Sequence, residues 1–234
     1  MEHKIIYPLL GILSTVVISG CATAPMQLTE QDSSSMIGER LTVIYYEPDP
    51  FLPMTNTKGA FALVGVAAAV SEGKIIVEEK GLSDPAITIK NDLARKLSET
   101  YQISDITMVP DAKPYESEPA AVSSMSENQG IVLDVRTFGW GTMYYPFKTK
   151  YKVTYFAQAR LINAKDNRLI STERCTIDEK YSENSPSYDE LMENDATLLK
   201  KKLEDASREC VNLFAQKMGI STTANLTGNT VANY

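Results

Sequence analysis

Residues 151 to 161 alternate in character: Tyr151, Val153, Tyr155, Ala157, Ala159 and Leu161 are interleaved with Lys152, Thr154, Gln158 and Arg160. Successive side chains of a strand point to opposite faces, so this run predicts a strand with one face in a core. Gly130 to Phe138 and Arg168 to Tyr181 flank it, and Ala164-Lys165-Asp166-Asn167 suits a hairpin turn before the latter. Together these segments predict a three-strand antiparallel meander.

Helical signals surround it. Arg40 to Glu47 is β-branched and aromatic and stops at Pro48-Asp49-Pro50, which predicts a first strand. Asp84 before Pro85 marks a helix start, with Ile89, Leu93, Leu97 and Tyr101 on one face. Ile103 to Val109 is strand-like, and Pro110 to Gln129 collects the residues of a long surface loop. Ser187 and Glu190 form a capping box ahead of Leu191, Leu198, Leu199, Leu203, Ala206, Cys210, Leu213 and Phe214, a stripe that Gly219 ends. Strands grouped together with helices able to cover one face predict an α+β two-layer domain: a mostly antiparallel sheet that includes the meander, packed by helices including a long C-terminal one. Gly59 to Val70 is nearly uncharged and suits a buried helix or a loop packed on the sheet. Its small residues Gly59, Ala62, Gly65 and Ala69 serve either core packing or a docking surface for a partner or the bilayer.

The ends of the chain have a different composition. Lys4, the apolar stretch Ile5 to Ile18 and Ser19-Gly20 follow the charged, apolar and small-residue order of an export signal over residues 1–20. Ile18-Ser19-Gly20-Cys21 resembles the lipobox of bacterial lipoproteins. The resemblance implies cleavage between Gly20 and Cys21, diacylglycerol on the Cys21 sulfur and acylation of the new amine. Position 22 is Ala rather than the Asp of inner-membrane retention, so the resemblance implies the outer membrane, facing the periplasm. Two or three acyl chains would make such an anchor effectively permanent. Residues 21–39 then read as the lipidated cysteine and a flexible tether, 40–220 as one periplasmic domain, and 221–234 as a disordered tail.

Composition excludes several chemistries. The chain has a formal charge of -7 and a single histidine, His3, which lies within the export signal. Without a basic stripe, nucleic acid is not expected as a partner, and the negative balance argues against electrostatic attraction of the chain as a whole to anionic headgroups. Without a mature histidine, Ser-His triads, Cys-His dyads and His-bearing metal sites are impossible, and no cofactor or metal is expected. With Cys21 consumed by lipid, Cys175 and Cys210 form an even pair in an oxidising compartment, read as one disulfide, with a free redox pair as the rival.

Motif matches are weak. Ser71-Glu72-Gly73-Lys74 fits the Ser-x-x-Lys pattern of penicillin-binding enzymes, but Ser104-Asp105 is followed by Ile106 and Lys148-Thr149 by Lys150, so the partner motifs are missing. Asp189, Glu190, Glu193 and Asp195 are acidic residues at a helix start, where the dipole accounts for them. Gly139-Trp140-Gly141 lacks the rest of a nucleotide fingerprint. Phe138, Trp140, Tyr144, Tyr145 and Phe147 lie close together with Pro146, and suit an exposed hairpin tip that binds a partner; the alternative is that they cap the sheet's core. The expectation is a non-enzymatic, membrane-anchored accessory or scaffold component of an envelope assembly or transport system, loosely similar to accessory lipoproteins of envelope transporters. A carrier or sensor of a small apolar ligand, walled by Gly59 to Val70, is the second reading, and a Ser71/Lys74 hydrolase the third.

Overall fold

In a computed structural model, residues 28–112 and 118–220 are described. The export signal, Gly20, Cys21 and the 221–234 tail lie outside them. In chain order the elements are α1 (Glu30–Met36), β1 (Arg40–Tyr46), β2 (Phe51–Pro53), α2 (Asn56–Ala60), α3 (Ala62–Lys80) and α4 (Pro85–Tyr101). They are followed by β3 (Asp105–Ala112), α5 (Pro119–Ser124), β4 (Ile131–Tyr144), β5 (Tyr151–Asn163), β6 (Arg168–Asp178) and α6 (Tyr188–Lys217).

The sheet runs β3-β1-β4-β5-β6, and β2 pairs with β4 beyond the end of β1. The β4-β5-β6 meander is antiparallel throughout, as the alternation predicts. The remaining pairings, β1 with β3, β1 with β4 and β2 with β4, are parallel. The sheet is therefore mixed. Three helices, α2, α3 and α4, stand between β2 and β3 in the chain, and a crossover of that length is what parallel pairing requires. The large core lies where α4 and α6 cover one face, around Leu41, Val43, Leu133, Tyr155, Leu161, Ile89, Leu93, Leu199 and Phe214. A small second cluster, Ile44, Val132, Ile162 and Ala164 with Val122 of α5, covers the other face.

Two spans expected to be irregular contain helices. Within the 21–39 tether, Thr29 and Asp32 close a capping box that starts α1. Met36 is buried in the core, and the Asp32 carboxylate meets Arg168 at 2.5 Å. Composition hid this helix because one buried methionine and one ion pair anchor it, rather than an apolar face. The 110–129 loop contains α5, started by Pro119 at its first position.

The capped starts appear as the sequence predicts. Asp84 accepts from the Ala86 amide at 2.9 Å, and Ser187 and Glu190 exchange hydrogen bonds at the head of α6. That helix is interrupted, however. Asn194, Asp195 and Ala196 all have positive φ, a left-handed turn that separates a short first segment from the long one. Cys175 of β6 and Cys210 of α6 form a disulfide with Cα atoms 5.5 Å apart, fastening the last helix to the last strand.

Candidate docking flank and buried polar network

The discontinuity between β1 and β2 organises both features. β1 pairs with β4 as far as Asp134, and β2 resumes at Trp140. The connecting loop carries Asp49, whose carbonyl accepts the Trp140 indole N–H at 2.6 Å and whose carboxylate pairs with Arg136 at 3.2 Å. Trp140 also meets Phe51 edge-on, with ring centroids 5.1 Å apart. The tryptophan is thus a core residue, 3% exposed. This corrects its expected exposure: the strand continues through Gly139 and Gly141, and the Gly141 backbone lies against Leu52, where a Cβ would clash.

A network of ionisable groups fills the same region. Lys90 of α4 sends its ammonium over the rings of Tyr45 and Tyr46, 4.7 and 5.6 Å from their centroids. Burial pushes Lys90 down to about 8, against the pull of the Asp84 and Asp134 charges. Thr137 donates to Asp84 at 2.5 Å and lies 3.0 Å from the Tyr155 hydroxyl. Burial raises the Asp84 carboxyl and the Tyr155 phenol. Asp134 takes two bonds from Arg160, at 2.6 and 2.5 Å, and burial raises it in spite of that partner. Lys90, Asp84, Asp134, Tyr155 and Arg160 are all enclosed, so this network specifies how α4 seats on the sheet. Sequence reasoning did not single out Lys90, Asp134 or Arg160. The available signal was Asp134 inside the apolar run Ile131 to Val135, opposite Arg160 in the next strand.

At the free edge of β2 the chain does something different. The Phe51 and Pro53 carbonyls point away from β4; Pro53 accepts from Lys58 Nζ at 2.7 Å, and α3 lies against Phe51. Gly73 makes this approach possible, since a Cβ there would stand 1.8 Å from the Phe51 oxygen; Gly65 does the same against the Lys58 carbonyl. Lys58 is held by Glu72 at 2.7 Å, and Glu72 also accepts from the Tyr188 hydroxyl at 3.0 Å. Gly65, Ala69 and Gly73 of α3 therefore face inward, which is the core-packing alternative.

The opposite face of α3 is apolar as well. Phe61 is 64% exposed, Leu63 85% and Val64 74%, with Ala67, Ala68 and Ile75 also open to solvent. The expected burial of Gly59 to Val70 is thus correct on one side only: the segment closes a sheet edge and has no further layer outside it. Next to α2, the β4–β5 hairpin tip is joined by Asn56, whose side chain donates to the Lys148 carbonyl at 3.1 Å. At this tip Phe147 has φ +62° and is fully exposed, at 102%.

The five aromatic candidates therefore divide. Trp140 and Tyr145 are buried, Tyr145 donating to the Glu179 carbonyl at 2.8 Å; Tyr144 is half-buried against Gly59. Phe138, at a bulge in β4, and Phe147 are exposed. Ser71 and Lys74 stand in solvent on α3, with nothing to exclude water from them. Glu190 belongs to its capping box, and Asp195 pairs with Lys200 at 2.9 Å. Among the described residues no group of three His, Cys, Asp or Glu could hold a metal ion, and no helix is long and apolar enough to cross a membrane.

No protein-family model matches the chain, and no curated protein does. Among solved structures it is similar to a neuraminyllactose-binding hemagglutinin homolog from Helicobacter pylori, with 9% identity over 79% of this chain and 85% of that one, at a TM-score of 0.37. A Xanthomonas campestris protein shares 13% identity over 83% and 93% of the two chains, at a TM-score of 0.36. A lipoprotein from Neisseria meningitidis shares 16% over 76% and 98%, at 0.29. Likenesses at these identities and scores assign the chain neither a family nor an activity.

Proposed function

We propose that this is a non-enzymatic envelope lipoprotein, anchored through Cys21 to the outer membrane on its periplasmic side, that serves as an accessory or scaffold component of an envelope assembly. The observation that carries the reading is the distribution of chemistry over the fold. The strongly shifted groups, Lys90, Tyr155 and Tyr188, are taken up in packing, whereas large apolar groups stand in solvent at Leu63 and Phe147. That is the pattern of a surface that binds rather than a cleft that reacts. The lipobox-like Ile18 to Cys21 supplies the anchor.

Mass spectrometry of the N-terminal peptide from membranes tests the anchor, with acylated Cys21 as the expected first residue; an unmodified or different start overturns it. Photocrosslinking in intact cells from position 138 tests the partner. A defined envelope protein is expected, and its absence removes the scaffold role. The carrier reading has less support, since clefts of about 190, 350 and 460 Å3 are lined by other segments: Gly81 to Thr88 with α6, Phe138 with β5 and β6, and Glu179 to Glu190 with α6.

A further inference from the structure

We propose that the outer face of α3 and the Phe147 tip rest in the interfacial layer of an anionic bilayer, the same bilayer that holds the Cys21 anchor. The inference rests on the anchor reading for which bilayer is meant, and on the flank itself for the contact.

Charge is the first argument. The two segments that build this flank, 54–80 and 139–154, contain six lysines against three acidic residues, Glu72, Glu78 and Glu79, in a chain of formal charge -7. Lys58 and Lys152 are paired with Glu72 and Asp178, while Lys148, whose ammonium lies 4.9 Å from the Tyr181 ring centroid, and Lys150 follow Phe147 in the tip and form no ion pair among the described residues. Protruding apolar groups flanked by lysines match an anionic headgroup layer: the rings and aliphatic chains enter the acyl boundary and the ammonium groups stay with the phosphates.

Shape and strain point the same way. Phe61, Leu63, Val64 and Phe147 are each more than half exposed. Insertion into lipid needs no matching surface. Phe147 holds a left-handed backbone, costly for a non-glycine residue, and its ring gains no packing from it.

The path of the chain outside the structure completes the argument. Leu28 packs at the core near Gly219, and α1 docks on Arg168 at the β6 side of the sheet. With the α3 flank downward, β6 stands three strand spacings above β2 and α3 adds one helix diameter below it, about 25 Å in all. The segment from Cys21 to Leu28 reaches at most about 25 Å when extended. Anchor and flank can therefore meet one bilayer with the domain lying on its side.

The test uses the acylated full chain in vesicles of phosphatidylglycerol and phosphatidylcholine that carry nitroxide-labelled lipid, with a polarity-sensitive fluorophore on Leu63→Cys, Phe147→Cys or Asp166→Cys. Fluorophores at 63 and 147 should be quenched several-fold more than at 166; equal quenching at the three positions overturns the proposal and leaves the anchor reading standing. Quenching at 63 and 147 in a native protein found not to be acylated supports the flank and removes the anchor instead. Separately, the mature chain from position 21, without the export signal and with Cys21→Ala, should sediment with anionic vesicles and less with pure phosphatidylcholine. Leu63→Asp or Phe147→Asp should lower that binding on the order of tenfold. Absence of sedimentation overturns the proposal. So does a concentration-dependent doubling of mass in lipid-free solution that Leu63→Asp abolishes, which would assign the flank to a second copy.

Discussion

The carbonyl oxygen of Phe51 occupies the space that a side chain on Gly73 would need, with 1.8 Å between that oxygen and a Cβ. Alanine normally stabilises a helix interior by about 1 kcal/mol over glycine. Here Gly73→Ala should destabilise by a net 1 to 3 kcal/mol, roughly the range of an overpacked contact, because the obstacle is backbone of the sheet. Urea unfolding checks this, and a midpoint equal to or above that of the parent would show that α3 does not seat on β2 in this way.

The left-handed turn inside α6 makes the opposite expectation. Asp195 has φ +58° and ψ +39° and is exposed, and its pair with Lys200 lies at the surface. Asp195→Gly should therefore stabilise by about 1 kcal/mol, since glycine bears no Cβ penalty in that region and an exposed ion pair contributes little. Thermal unfolding should show a raised Tm. A fall would mean that the segment is continuous right-handed helix.

Lys90 gives the fold a dependence on alkaline pH. Its ammonium titrates near 8 in the folded protein against an ordinary 10.5, so between these values the unfolded chain binds the extra proton and stability rises with pH. From pH 8 to 9.5 the rise should amount to about 2 kcal/mol at 1.36 kcal/mol per unit. Above about pH 10 the raised phenol of Tyr155 reverses the slope, because the unfolded chain then loses a proton that the folded one keeps. Denaturant titrations across this range should show the rise in the parent and not in Lys90→Met.

The Cys175–Cys210 bond closes a separation of 35 residues. The chain-entropy estimate for such a loop is about 4 kcal/mol, so the Cys175→Ser, Cys210→Ser double variant should unfold at markedly lower urea concentration. Reductant should lower the parent to the same midpoint and leave the double variant unchanged.

Much of this architecture is legible in the chain because local physics and tertiary packing agree there. The Tyr151 to Leu161 alternation, the Asp84-Pro85 start and the Ser187/Glu190 capping box each lead to the element observed. Parallel pairing is not legible in the same way. Nothing in Arg40 to Tyr46 distinguishes a neighbour running with it from one running against it, and the decision rests on the helical crossover of α2, α3 and α4. The flank was half legible. Uniform apolarity in Gly59 to Val70 signals burial, but a pattern with no polar side cannot tell which face has a neighbour. Trp140 between two glycines resembled a loop tip; Gly141 instead lets the β2 backbone come close to a strand that continues past the bulge at Phe138.

Capping the rim of β2 with a helix has a consequence for assembly. An extended peptide cannot zip onto backbone that α3 already shields, so copies of the chain cannot fuse there into a continuous ribbon. Strand-by-strand polymerisation is thereby directed away from that side, and its greasy coating can remain bare without offering the amides and carbonyls from which a fibre grows.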